Sequence, residues 1–538
     1  MRGLMMDYPL TLTLLLERAR RLFPKKEVIT RTAGGVHRYT YADLYRRACR
    51  LANALRALGV QRGDRVGSFA WNSYRHLELY LGVPSSGAVL HTLNIRLFPE
   101  QISFIVNHAE DAVIFVDDSL LPALEPLAAE FPGVRAYVVM GDGPLPATVL
   151  HPIYRYEDLL DAASEEYTFP QLDEQEAAGI CYTSGTTGNP KGVVYSHRGL
   201  VLQSFAQTAA DAFALREADV VCPVVPMFHA NAWGLPFTAT MVGATQVYPG
   251  AQPTPRDILE LIDQFRVTVT GGVPTVLVGL LGALEERHCD LSSLRAVPCG
   301  GSAVPESLIE RFDRLGVTVL QAWGMTETAP LATLSQPRSS MRAWSESQRR
   351  AVRAKQGTPV PGVELRVVDD AGRELPWDGK SVGELQVRGA WIVGAYYNDP
   401  RSPQAFQDGW FKTGDIATID ADGYVQITDR VKDVIKSGGE WISSVELENA
   451  IMAHPQVLEA AVIGLPHERW QERPLACIVV KPGQTLTKES IMAHLTSRVA
   501  KWWLPEDIVF IDGLPKTSVG KIAKRELRER FKTHRWPA

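Results

Sequence analysis

The chain has 538 residues, 45% of them hydrophobic and 22% charged, with a formal net charge of −5. That length is more than one hydrophobic core organises, so two or more domains are expected. No block of like charge occurs, which removes the electrostatic footprint of a nucleic-acid binder. The cysteines Cys49, Cys181, Cys222, Cys289, Cys299 and Cys477 are scattered, without a Cys-x-x-Cys pair. Reduced thiols in a cytoplasmic protein fit this pattern better than a disulfide framework or a zinc site.

In chain order, the first apolar run is Leu10 to Leu16, closed by Glu17 and several arginines. It is too short to span a membrane and lacks a small-residue cleavage site, so it reads as the buried face of a first helix. Thr40 and Asp43 form a capping box for a helix whose apolar face carries Leu44, Ala48, Leu51 and Leu55. Gly59 stops it, and Asp64-Arg65-Val66 opens a strand. This helix-then-strand rhythm continues to about residue 330 and predicts α/β layers. The polar stretch from Arg338 to Arg353 belongs on the surface. From Gly357 to Ile427, short β-like pieces alternate with Gly/Asp turns, which predicts a β-rich subdomain. No repeat or low-complexity tract is present.

Between the strand-like runs Ala177 to Cys181 and Val193 to Tyr195 lies Tyr182-Thr183-Ser184-Gly185-Thr186-Thr187-Gly188-Asn189-Pro190-Lys191-Gly192. Glycines let backbone amides close around an anion, hydroxyls add donors, and lysine brings a mobile positive charge. This is a phosphate cradle; an ordinary glycine-rich turn is the plainer alternative. A nucleotide-triphosphatase P-loop is rejected, because Gly-Lys must there be followed by Ser/Thr entering a helix. Here Pro190 precedes Lys191, Gly192 follows it, and a β-like run comes next.

The loop closely resembles the signature of the adenylate-forming superfamily, which includes acyl-CoA synthetases, luciferases and adenylation domains. Further segments are similar to its other signatures, in the family's order. Gln321-Ala322-Trp323-Gly324-Met325-Thr326-Glu327 resembles the second. The resemblance implies adenine on the Trp323 face and magnesium held by Glu327, with Thr183 as a second metal contact. Gly301-Ser302-Ala303 is similar to the loop that runs along the adenine. Thr413-Gly414-Asp415 is similar to the ribose clasp, where a carboxylate accepts from two hydroxyls. Pro515-Lys516-Thr517-Ser518-Val519-Gly520-Lys521 resembles the loop carrying the catalytic lysine, Lys521. Each match alone has a dull reading as packing, turn or solvated surface, but their order argues against accident.

Asp429-Arg430-Val431-Lys432-Asp433, followed by Lys436-Ser437-Gly438-Gly439-Glu440-Trp441, resembles the family's hinge. It implies a boundary between residues 1–430 and 431–538. The expected fold is α/β: a large N-terminal domain of α/β layers with a β-rich subdomain, then a small mobile α+β C-terminal domain. The implied reaction has two halves. A carboxylate attacks the α-phosphorus of ATP, releasing pyrophosphate, and a thiol then attacks the acyl-adenylate. Lys521 serves the first half. In the second, the C-terminal domain turns about Lys432 and brings Gly438, Gly439 and Trp441 to the pantetheine arm of coenzyme A, with Arg430 and Lys436 nearby. Many members have Gly-Arg before the hinge and aspartate as pivot; Asp429-Arg430 and Lys432 here are similar to the fatty acyl-CoA synthetase branch. Only 17 residues follow Lys521, without an Asp-Ser-Leu phosphopantetheine site, which disfavours a carrier-protein acceptor.

Pro226-Met227-Phe228-His229-Ala230-Asn231-Ala232-Trp233-Gly234 resembles the motif lining the acyl side of the cavity. His229 is placed to approach the carboxylate, or else is a satisfied core histidine. Trp233 is either a movable plug of an apolar tunnel or core packing. Small residues at Gly272 and Val273 leave room for an alkyl tail. No basic side chain in these segments would pair with a second carboxylate, and no acidic one would meet an α-amino group. The expectation is therefore an AMP-forming fatty acid:CoA ligase for medium or long chains, using ATP, Mg2+ and coenzyme A. An aryl- or other-acid:CoA ligase, or a luciferase-like adenylating enzyme, is the alternative. A homodimer is compatible with this reading.

Overall fold

The computed structural model describes residues 1, 3–183, 189–430, 432–437, 440–496, 498–517 and 522–536, with the backbone alone at 440 and 441. The first helix, Leu12–Leu22, buries Leu12, Leu15, Leu16 and Ala19. Helix Tyr41–Ala57 begins at the expected capping box: the Thr40 hydroxyl accepts from Asp43 N, and the Asp43 carboxylate accepts from Thr40 N. Its buried face includes Leu44, Ala48, Leu51 and Leu55. Gly59 follows it with φ +76°, a left-handed turn that glycine adopts without steric cost. Strand Arg65–Phe69 comes next.

Two parallel-rich sheets build the α/β layers. One has seven strands in the order Ile153–Arg155, Ala136–Met140, Asp111–Asp117, Arg65–Phe69, Val89–Thr92, Ala177–Tyr182, Gly192–Ser196. The other has five, ordered Val269–Gly271, Val220–Pro223, Thr245–Tyr248, Glu27–Thr32, Gly35–Thr40. Strand Val297–Cys299 pairs parallel with Val319–Trp323 and extends the second layer through bridges from Val269 and Gly272. The carboxyl ends of strands Val220–Pro223, Val269–Gly271, Val297–Cys299 and Val319–Trp323 therefore open on one side. In open α/β sheets that is where ligands bind.

Residues after 357 form the expected β-rich unit, a five-stranded antiparallel sheet ending in Val425–Arg430. A last sheet holds Glu440–Ile442, Ile435–Ser437, Gln471–Val480, Val457–His467 and Asp507–Phe510, packed on helix Ser444–Met452. The fold class read from the sequence is thus present. Among the described residues, no helix is long and apolar enough to cross a membrane.

Candidate active site

A cavity of about 840 Å3 lies at those strand ends and gathers most of the anticipated residues that are described. Strands Ala177–Tyr182 and Gly192–Ser196 are antiparallel with Tyr182 opposite Gly192, so the two ends of the glycine-rich segment stand side by side. Its mouth is closed twice. Thr183 N donates to Lys191 O at 2.9 Å, and Lys191 N donates to the Thr183 hydroxyl at 3.2 Å. Both side chains line the cavity. Ser184, Gly185, Thr186, Thr187 and Gly188 lie outside the described residues.

Opposite them, strand Val319–Trp323 delivers Ala322, Trp323, Gly324, Thr326 and Glu327 to the cavity wall. A Cβ on Gly324 would sit 1.5 Å from Pro330 O, so the chain turns there only without a side chain. Thr326 O accepts from the Tyr195 hydroxyl, and Glu327 O accepts from Val393 N. The Glu327 carboxylate, 6% exposed, accepts from the Tyr396 hydroxyl through Oε1 at 2.7 Å. Burial, and then the Glu327 charge, push the Tyr396 phenol well above its ordinary range.

The Trp323 indole donates to Asp415 Oδ2 at 2.9 Å, and Arg430 Nε lies 3.1 Å from Asp415 Oδ1. Asp415 is 2% exposed, and its charge holds the Arg430 guanidinium above its usual range. Gly301 and Arg430 line the cavity, whereas Ser302 and Ala303 do not. Gln321 faces away: its buried side chain accepts from Val304 N at 2.9 Å and fixes the Ser302 loop from behind. Lys432 and Lys436 are exposed beyond the cavity lining. Trp441 lies opposite Lys436 in a short antiparallel pair. Gly438, Gly439 and Lys521 lie outside the described residues.

The segment from Ala230 to Trp233 makes a turn that propensity does not announce. Ala230, Asn231, Ala232 and Trp233 all have positive φ (43°, 53°, 48° and 59°). Left-handed backbone costs about 1–2 kcal/mol for each such residue, so the surroundings must enforce it. Gln203 and Gln207 do so by donating to Trp233 O at 3.3 and 2.5 Å. The indole then lies against the backbone of Gly271 and Gly300, where added Cβ atoms would be 3.5 and 3.6 Å from it. His229, Trp233, Gly272 and Val273 all line the cavity, beside the apolar Phe213, Val225, Ile258 and Val276.

Arg96, Tyr396 and Arg401 also line the cavity and belong to none of the motifs. Arg96 comes from the loop after strand Val89–Thr92, its guanidinium carbon 5.9 Å from the Phe228 ring centroid. The cavity therefore contains a cation that the acyl-side segments themselves lack, and desolvation lowers its pKa. Isolated basic residues in loops carry no sequence signal; only the tertiary fold brings Arg96 here.

Residues 16–397 match the AMP-binding enzyme family, and residues 446–521 match the AMP-binding enzyme C-terminal domain. The chain is similar to a long-chain-fatty-acid–CoA ligase of Thermus thermophilus, 51% identical and covering 98% of this chain and 97% of that one. It is 44% identical to a medium-chain-fatty-acid–CoA ligase of Ectopseudomonas oleovorans, covering 99% and 98%. Among solved structures it is similar to an anthranilate CoA ligase in complex with anthranoyl-AMP, with a TM-score of 0.88, 30% identity and 98% of each chain covered. With Thr183, Lys191, Trp323 and Glu327 around one cavity and the match spanning most of its length, the chain belongs to the AMP-binding enzyme family.

Proposed function

We propose that this protein is an AMP-forming fatty acid:CoA ligase acting on medium- or long-chain acids, with 1–430 as the nucleotide- and acyl-binding part and 431–538 as the mobile part. The observation that carries the reading is one cavity lined both by Thr183, Lys191 and Glu327 and by the apolar wall around Trp233. Reduced cysteines, all six free and buried, support a cytoplasmic setting.

Magnesium fits the donors present. It is held by one or two carboxylates together with substrate phosphates and waters, not by an all-protein cage. Among the described residues no group of three or more His, Cys, Asp or Glu could form such a cage, while Glu327 and Thr183 offer hard oxygens in the cavity. Those two residues would hold the ion, which when bound draws negative charge from the phosphate oxygens.

In the first half-reaction Lys191 and the loop after Thr183 bind the β- and γ-phosphates, and the Trp323 face and Asp415 hold adenosine. A carboxylate oxygen of the fatty acid attacks the α-phosphorus, and the bond to the pyrophosphate oxygen breaks. Lys521 stabilises charge gathering on the α-phosphoryl oxygens, the kind of preorganised contact that dominates such transfers. His229 orients the attacking carboxylate, and Trp233 closes the tunnel behind it. In the second half-reaction the CoA thiol attacks the acyl carbonyl, and AMP leaves.

A pyrophosphate-release assay with CoA over saturated acids from butyrate to stearate, with benzoate and cinnamate as the aryl arm, tests the substrate class. Turnover should be greatest with medium or long alkyl chains. Preference for an aryl acid would replace this reading with the alternative.

A further inference from the structure

We propose that Tyr396 is a positioning residue that stands between Glu327 and Lys191 and keeps both charges available to the metal and the phosphates. The inference rests on the reading of Glu327 as the metal-holding carboxylate. Tyr396 is 7% exposed and lines the cavity, its backbone N donating to the Ser402 hydroxyl at 2.8 Å. A single ring touches two opposite charges in different ways. Its hydroxyl donates to Glu327 Oε1 at 2.7 Å, while Lys191 Nζ lies 4.4 Å from its ring centroid.

Two opposite charges in a half-dry cavity attract strongly, and a direct pair would neutralise both. Among the described residues Glu327 and Lys191 form no such pair. The aromatic face offers the ammonium a weaker, non-neutralising attraction. The phenol occupies one acceptor position on Oε1, and among the described residues no other side chain donates to that carboxylate. Fixing a ligand carboxylate from behind by a hydrogen bond typically changes metal affinity 10–100-fold.

The test uses the full-length protein with α,β-methylene ATP, reading Mn2+ as the magnesium stand-in by electron paramagnetic resonance. Tyr396→Phe keeps the ring and removes the hydroxyl. Its Mn2+ affinity should fall about tenfold or more, while binding of the nucleotide in EDTA and the melting temperature stay near the parent's. Tyr396→Leu also removes the ring, lets Lys191 reach Glu327, and should weaken nucleotide binding in EDTA as well. In a Glu327→Gln background, which should itself lose most Mn2+ affinity, Tyr396→Phe should add nothing further. Unchanged Mn2+ affinity in Tyr396→Phe, or an equal further loss in the Glu327→Gln background, overturns the proposal alone. Parental Mn2+ affinity in Glu327→Gln itself overturns both the metal assignment and the proposal built on it.

Discussion

Lys521→Ala is expected to slow acyl-adenylate formation by about a hundredfold or more, the usual cost of removing one preorganised contact to developing charge. Thioester formation from supplied acyl-AMP should stay within a few-fold of the parent. Lys521 itself lies outside the described residues, but the ends of its loop are tied together. Lys516 and Ile522 form an antiparallel bridge, and Ala523 N donates to Pro515 O at 2.8 Å. The reciprocal variant is Lys432→Pro, which fixes φ at the proposed pivot and removes a backbone donor. In this structure the two sides of the proposed hinge are fastened to each other: Ser444 N donates to Asp429 Oδ2 at 2.7 Å, and the Ser443 hydroxyl to Thr428 O. A turn about Lys432 must release these contacts, so restricting the pivot should spare adenylation and slow transfer to CoA. Single-turnover assays of each half separate the two variants. Equal damage to both halves by both variants would remove the two-conformation mechanism.

Asp415→Ala should raise the KM for ATP by about a hundredfold, with a smaller change in kcat. The carboxylate has about four acceptor positions. Trp323 Nε1 takes one on Oδ2 and Arg430 one on Oδ1, leaving one on each oxygen for two vicinal ribose hydroxyls. Hydrogen bonds to a charged group contribute about 1.5–3 kcal/mol each, so losing two reaches the hundredfold range. The cost to folding should be comparable, about 1–4 kcal/mol. The Arg430 side chain keeps 42% exposure, so water replaces its partner and that pair contributes less than about 1 kcal/mol. The orphaned indole N–H of Trp323 adds about 1–3 kcal/mol. Nucleotide titration calorimetry beside thermal melts distinguishes binding loss from unfolding; a parental KM in a variant that melts early would make Asp415 purely structural.

Local chemistry made much of this legible in advance. The Thr40/Asp43 box, the apolar face from Leu44 to Leu55 and the glycine at 59 specify a helix and its ends without tertiary help. The segment from Thr183 to Lys191 stood out because its glycines, hydroxyls and lysine are the composition an anion cradle needs, and Thr183 and Lys191 both line the cavity. What stayed hidden depends on long-range contact. The left-handed run from Ala230 to Trp233 contains no glycine until Gly234, and its enforcing glutamines, Gln203 and Gln207, lie on the preceding helix. Tyr396 meets Glu327 across a separation of 69 residues. Arg96 enters from a strand end far from every motif. Gln321 belongs to a signature segment, yet its side chain is turned to Val304, a distinction that only the register of strand Val319–Trp323 decides.

Oxygen transfer tests the central claim most directly. A fatty acid labelled with 18O in both carboxylate oxygens is incubated with the protein, Mg·ATP and CoA, and the products are separated and weighed by mass spectrometry. Attack of the carboxylate on the α-phosphorus leaves one labelled oxygen in AMP when CoA displaces it, with pyrophosphate unlabelled. Label in inorganic phosphate, accompanied by ADP, would mean attack at the γ-phosphorus and would contradict the adenylation mechanism.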